Sequence, residues 1–330
     1  MRSTDFTVVA VERKGRPVLL HTHYTNTVAR WLLDKGLVPG LEKYRVAGSE
    51  VSVGRSRFDF LLEGRGERML LEVKSCTLFG GKIAMFPDAV TARGRRHVLE
   101  LVSYAEEKNR KAGVLFVIHW PKARYFLPDY HTDPDFSGAL AAARGKIVIK
   151  PMAVGWKQDL SLSTKVREAV VPWRLLERED HDGGSYILLL RLVSRKRIQI
   201  GGLGKITFEK GYYLYAGSAA KNLAARLRRH VKTGKKAFWH IDYLREDTEF
   251  HGAFPIRSRD RLECRIAAAL DKVADWGVPG FGSSDCSCRT HLYGLKEDPL
   301  RNAGFVDLII DFRTDRLLKD PSTACFFDAV

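Results

Sequence analysis

Residues Ser56–Thr77, SRFDFLLEGRGERMLLEVKSCT, decide how this chain folds. They read as two apolar-rich strands, Arg57–Glu63 and Arg68–Lys74, joined by the tight polar turn Gly64-Arg65-Gly66-Glu67. Side chains on a strand repeat every second residue, so Glu72 and Lys74 share a face. The hairpin then brings Asp59 back beside them. Two carboxylates and an ammonium among Phe58, Phe60, Leu70, Leu71 and Val73 are costly to bury unless something compensates. A divalent cation between the carboxylates would compensate; an edge hairpin with solvated charges would avoid the cost.

The rest of the chain sets the frame. Its 330 residues exceed what one core ordinarily supports, so two domains are expected. Hydrophobic residues make up 45% and charged residues 28%, as in ordinary soluble proteins. The net charge of +16 is less ordinary and points to a polyanionic partner, nucleic acid or an anionic membrane. No amphipathic basic helix with a broad apolar face is present, which sets the membrane aside. No run approaches the ~20 apolar residues of a membrane span, and MRSTDFTVVAVERKG lacks the apolar core of a signal peptide. Five cysteines do not suggest a disulfide framework, so a cytoplasmic location is expected.

Taken in order, Thr7–Val11 and Pro17–His21 suggest a short hairpin. A helix follows, capped by Thr25 or Asn26 and stopped at Gly36. Glu50–Val53 reads as a strand leading into the central hairpin. After Pro87 a helix carries Val98, Leu101, Val102 and Ala105 to about Asn109. Gly113–His119 reads as a buried strand, Asp133-Pro134 opens a helix through Ala143, and Lys146–Lys150 returns as a strand. Periodicity alone gives a mixed α/β domain. Beyond a polar, Pro- and Gly-marked stretch, Gly184–Leu192 and Arg197–Ala219 supply strands. A basic helix, Leu223–Val231, and an apolar one around Leu262–Val273 follow.

Asp59, Glu72 and Lys74 across a hairpin resemble the active site of PD-(D/E)xK nucleases. The segments SRFDFLL, LEVKSCTL and FPDAVTARGRRH (Phe86–His97), in that order, resemble the sugar fermentation stimulation protein A (SfsA) family over about residues 20–155. That resemblance implies a Mg²⁺ or Mn²⁺ ion held by Asp59 and Glu72, with the Val73 carbonyl between them. Lys74 would stand beside the attacking water, and Glu50 would be an additional acid. Thr91 and Arg93 would touch the phosphate backbone near a helix start, although Asp88 and Thr91 equally suit a helix cap. The family's N-terminal OB-like module would be reduced here to the hairpin Thr7–His21.

In the second half, Tyr186 in GSY and Tyr215 in YLYAGSA are followed by Arg226, His230 and Glu263. With WHIDYL (Trp239–Leu244) and GSSDC (Gly282–Cys286), this set resembles the GIY-YIG nuclease superfamily. The resemblance implies that Glu263 binds a metal, that Tyr186 and Tyr215 lie on the water side, and that Arg226 and His230 face phosphate. Arg228 and Arg229, on the same basic helix, would add nucleic-acid contacts, or form a solvated basic face. The two tyrosines stand further apart than in the best studied members. Cys286, Cys288 and His291, with Cys264 nearby, raise the question of zinc. C-x-C-x2-H is not a common structural zinc spacing and leaves the fourth ligand open, so no zinc site is assigned.

The expected architecture is thus α/β and α+β: a hairpin at 1–20, a PD-(D/E)xK-like domain at 21–160, a linker at 161–182, a GIY-YIG-like domain at 183–312 and a tail at 313–330. The expected function is metal-dependent, largely sequence-nonspecific cleavage of DNA or RNA. The alternative is a non-catalytic DNA-binding regulator of sugar metabolism.

Overall fold

Apolar residues on both faces of Glu67–Cys76 call for a strand in mid-sheet, covered on each side. The computed structural model describes residues 6–64, 66–107 and 110–327. In it β1 (Arg45–Val53), β2 (Ser56–Gly64), β3 (Glu67–Cys76), β4 (Arg110–Ile118), β5 (Val148–Ala153) and β6 (Arg167–Glu168) lie in that spatial order in one sheet. The pairs β1–β2, β2–β3 and β5–β6 are antiparallel, and β3–β4 and β4–β5 are parallel. Parallel neighbours need crossovers, which α2 (Ala92–Ala105) and α3 (Pro134–Ala142) provide. Leu71 and Val73 pack with Val28, Leu32 and Leu33 of α1 (Thr25–Asp34). Leu70 packs with Val98, Leu101, Phe136 and Leu140 on the opposite face.

One break in this sheet matters. The β2–β3 ladder stops at Phe60↔Leu71, whereas β3 stays paired with β4 as far as Cys76↔Ile118. The two strands part where Asp59 and Glu72 stand.

The chain divides into two compact bodies, one running to Arg174 and including the segment from Pro321, the other spanning Leu175–Asp320. The second holds an antiparallel sheet in the order β9-β7-β8-β11-β10, from β7 (Gly184–Leu192), β8 (Gly211–Ala219), β9 (Glu249–Arg257), β10 (Trp276–Gly277) and β11 (Leu292–Leu295). Around it lie α4 (Leu223–Val231), α5 (His240–Glu246), α6 (Glu263–Leu270) and α7 (Ala303–Ile310). The sequence between Tyr186 and Tyr215 holds an extra hairpin, Lys196–Gln199 with Lys205–Phe208. β7 and β8 therefore still pair directly, with Leu188 opposite Tyr215 and Tyr186 opposite Gly217.

Several boundaries differ from expectation. The opening hairpin is Ala10–Arg13 with Arg16–Leu19. The helix after Pro87 ends at Ala105; Asn109 and Arg65 lie outside the described residues. The stretch 161–182 is ordered: β6 adds an edge to the sheet, and the helix Trp173–Glu179 buries Leu175 and Leu176. Nor is 313–330 a free tail over its described part. Arg316 is 2% exposed and reaches Glu179 Oε2 at 3.4 Å, a charge pair whose burial fixes that segment. The Tyr125 and Phe327 rings pack at 4.5 Å in the first body.

Candidate active site

Where β2 and β3 part, side chains take over the hydrogen bonding. The Val73 N–H donates to Asp59 Oδ2 at 2.7 Å, and Asn26 Nδ2 donates to Oδ1 at 2.7 Å. Both Asp59 oxygens are thereby aimed. Burial, and then the neighbouring charge of Glu72, push the Asp59 carboxyl above the usual carboxylate range.

Glu72 is 4% exposed. Its Oε1 accepts from Lys74 Nζ at 2.5 Å and lies 2.6 Å from His97 Nδ1 on α2. His97 Nε2 in turn receives Arg93 Nε at 3.4 Å, which assigns the proton on Nδ1 and makes the imidazole a donor to Glu72. Burial works to raise the Glu72 pKa, but His97 and Lys74 together hold it below the usual range. The other oxygen, Oε2, is buried and has no hydrogen-bond partner among the described residues. A buried polar atom left unsatisfied costs about 1–3 kcal/mol, more if charged. A hard cation beside Asp59 would satisfy it.

The structure selects one of the two readings of Thr91 and adds partners to Arg93 and Glu50. Thr91 is the N-cap of α2: its hydroxyl accepts from the Gly94 N–H at 3.0 Å, and its own N–H donates to Asp133. Its hydroxyl is spent on the helix. Arg93 remains exposed but leans on His97. Glu50 pairs with Arg57 at 3.3 Å on the surface. His97 and Asn26 belong to the site although neither is assigned a role from the sequence. His97 does stand in the quoted Phe86–His97 segment, four residues after Arg93, and that spacing on one helix face was the available signal.

In the second body, a cavity of about 340 Å³ is lined by Tyr186, Tyr215, Arg226, Trp239, Glu263 and Asp285, among others. The tyrosine rings are 6.4 Å apart. Burial above all pushes both phenols upward, so they are hydroxyl donors at neutral pH. Gly217 lets Tyr186 lie across β8, since a Cβ there would stand 2.4 Å from Tyr186 Cζ. Glu263 Oε2 accepts from the Ser218 hydroxyl, and Oε1 lies 3.3 Å from His291 Nδ1. Although burial opposes it, these two groups hold the Glu263 carboxyl below its usual range. Arg226 donates to the Ser218 carbonyl at 2.7 Å and lies over the Trp239 ring at 4.4 Å.

His230 is 1% exposed and shares a 2.9 Å hydrogen bond with the Tyr186 hydroxyl. Burial, reinforced by Lys235, lowers its pKa to about 4. It stands behind Tyr186 as a neutral group and is not placed to meet phosphate. Arg229 also departs from expectation. It grips both oxygens of the buried Asp242 at 2.8 and 2.9 Å, a carboxylate on the next helix. Arg228 is exposed on the outer face. Ser218, Trp239 and Asp285 line the cavity although the sequence reading gave none of them a role in the site.

Comparison with known proteins places both halves. Residues 23–159 match the family described as "Sugar fermentation stimulation protein RE domain", and residues 185–309 match "Domain of unknown function DUF123". A sugar fermentation stimulation protein homolog of Methanosphaera stadtmanae is 34% identical over 178 residues, covering 51% of this chain and 73% of that protein. This chain belongs to the sugar fermentation stimulation protein family. The homolog of Methanothermobacter thermautotrophicus is 42% identical over 142 residues, covering 43% of this chain and 59% of its own. That of Pyrobaculum arsenaticum is 41% identical over 141 residues, covering 42% and 60%. The chain thus spans about three fifths of these relatives' length. Among solved structures, Pyrococcus furiosus SfsA in complex with Ca²⁺ aligns with a TM-score of 0.47 and 28% identity, over 50% of this chain and 71% of that one. The family membership rests on the first body. Among the described residues no helix is long and apolar enough to cross a membrane.

Proposed function

We propose that the first body is a divalent-metal-dependent nuclease of PD-(D/E)xK type, cutting phosphodiester bonds in DNA or RNA. The GIY-YIG-like second body binds the same polyanion. The observation that carries the reading is the buried, unpartnered Glu72 Oε2 beside an Asp59 whose carboxyl is pushed upward, at the point where β2 and β3 part. Asp59, Glu72 and the Val73 carbonyl form a hard oxygen set that suits Mg²⁺ or Mn²⁺ and would hold the ion. When bound, such an ion polarises a phosphoryl oxygen and lowers the pKa of water.

The protein's own residues do the rest. His97 and Lys74 occupy Glu72 Oε1, which leaves Oε2 free for a ligand. Asn26 and the Val73 N–H fix the Asp59 carboxylate in advance, so little reorganisation remains for the reaction. Lys74 keeps two further N–H bonds with which to orient water and stabilise charge growing on the phosphoryl oxygens. The net charge of +16 favours a phosphate backbone, and contacts to a backbone are indifferent to sequence.

The test is the purified 330-residue chain on labelled single- and double-stranded DNA and RNA, with Mg²⁺, Mn²⁺ or chelator. Metal-dependent cleavage that Glu72→Gln abolishes, with binding nearly intact, supports the reading. Lys74→Ala should cost on the order of a hundredfold or more in rate, and Glu263→Ala far less. Wild-type protein that binds nucleic acid but cuts none with either metal turns the assignment to the non-catalytic DNA-binding regulator. Cleavage at full rate by Glu72→Gln moves the chemistry out of this site.

A further inference from the structure

Beside the cavity of the second body, and outside the chemistry proposed above, four side chains converge from two separate places. Cys264 sits in the first turn of α6, directly after Glu263. Cys286, Cys288 and His291 come from the irregular segment that leads into β11. One ligand atom from each lies within 4.8 Å of every other. Cys286 Sγ is 3.4 Å and Cys264 Sγ 4.0 Å from His291 Nε2. In a tetrahedral zinc site, bonds of about 2.3 Å to sulfur and 2.0–2.1 Å to nitrogen place ligand atoms roughly 3.4–3.8 Å apart. The four atoms need close by no more than about 1 Å to meet that geometry.

We propose that Cys264, Cys286, Cys288 and His291 form a structural zinc site. Three thiolates and an imidazole select zinc over the hard cations suited to Asp59 and Glu72. The imidazole is already oriented for the task. His291 is 1% exposed, turns Nε2 toward the sulfurs, and carries Nδ1 3.3 Å from Glu263 Oε1. A carboxylate behind a ligating histidine fixes its tautomer and strengthens it as a donor. None of the cysteines is in a disulfide.

The site has a reason to exist. The segment from Val278 to His291 has little regular secondary structure, yet its Gly282, Ser284 and Asp285 line the cavity. An ion joining Cys286, Cys288 and His291 to α6 clips that wall to the helix carrying Glu263. Loading releases the three thiol protons to solvent, and no redox change is involved.

The full chain should be expressed with zinc, dialysed against metal-free buffer under reductant, and its metal content measured. About one zinc per chain is expected, as a closed four-ligand site holds. The double variant Cys286→Ser, Cys288→Ser should lose more than nine tenths of it, and Cys325→Ser, outside the cluster, none. Because the double variant could fail to fold, wild-type protein stripped of metal should also be titrated with Co²⁺. A thiolate-to-cobalt charge-transfer band, displaced by one equivalent of Zn²⁺, is expected. Zinc retained by the double variant, iron in place of zinc, or cobalt uptake without the thiolate band overturns the proposal. No measurement here depends on cleavage, so it stands or falls apart from the nuclease reading.

Discussion

Replacing His97 with phenylalanine tests how Glu72 is held. The ring stays in place, packed 5.4 Å from Phe58 in a site only 1% exposed, so the steric change is small. What goes is the 2.6 Å contact to Glu72 Oε1. A hydrogen bond to a charged partner contributes about 1.5–3 kcal/mol, so the expected loss near neutral pH is about 2 kcal/mol. The pH dependence makes the test specific. Burial pushes the Glu72 pKa up, but His97 and Lys74 hold it below the ordinary glutamate value of 4.5. A carboxyl depressed in the folded state contributes stability that is full above its unfolded pKa and lost as the pH falls through the folded one. His97→Phe removes part of that contribution. The gap between wild type and variant should therefore be full at neutrality and shrink as the pH drops below 4.5. Hydrogen exchange of the β3 amides in metal-free buffer reads it locally, which matters in a chain of two bodies that need not unfold together. A gap under about 0.5 kcal/mol at neutral pH, well below an ordinary charged hydrogen bond, or one that does not change with pH, would refute this account of Glu72.

Asp59→Asn should act in the opposite sense. Burial and the Glu72 charge raise the Asp59 pKa, so its ionisation costs stability that is intact below the unfolded pKa and lost as pH rises through the folded one. Without metal, the urea resistance of the variant relative to wild type should rise from acid to neutral pH. This comes on top of a pH-independent loss, because an amide has one acceptor for the two donors Val73 and Asn26; Mg²⁺ should protect wild type alone. Gly217→Ala puts a Cβ 2.4 Å from Tyr186 Cζ, which must swing away and release His230. A loss of about 1–3 kcal/mol is expected for such overpacking, read by denaturation together with the His230 imidazole signals in NMR. Unchanged signals would contradict the contact. Nucleic-acid affinity should fall steeply with salt, and Arg228→Glu should weaken it alike on unrelated sequences; fluorescence anisotropy against salt concentration decides, and a flat dependence rules out a phosphate-dominated interface. Arg229→Glu should instead unfold the second body, because it places a carboxylate against Asp242.

The parts of this molecule legible in the sequence are those whose partners lie close along the chain. Asp59, Glu72 and Lys74 sit on one hairpin, and strand alternation is enough to bring them together. Five of the six strands are legible as apolar runs between capped helices, but their spatial order and the edge strand Arg167–Glu168 are not. What stayed hidden depends on contacts between distant elements. Cys264 could be named as a neighbour of Cys286, Cys288 and His291, but the spacing C-x-C-x2-H left the fourth ligand open. Only the packing of α6 beside the segment before β11 brings its sulfur to the other three side chains. Likewise the long gap between Tyr186 and Tyr215 says nothing of the hairpin Lys196–Gln199 with Lys205–Phe208 that absorbs it. The open readings share one cause. A residue type declares its charge or hydroxyl but not its partner, so the sequence leaves Thr91 between phosphate and helix cap, leaves Arg229 between nucleic acid and solvent, and points His230 at phosphate. Gly94, Asp242 and Tyr186 had claimed them within the fold. A basic helix such as α4 therefore overstates its own binding surface. Arg226 and Arg229 both lie over Trp239, yet only Arg226 lines the cavity, because a buried carboxylate stands opposite the other. Where a sequence shows a row of arginines facing a presumed polyanion, the number free to bind is the number without a buried acid across the groove.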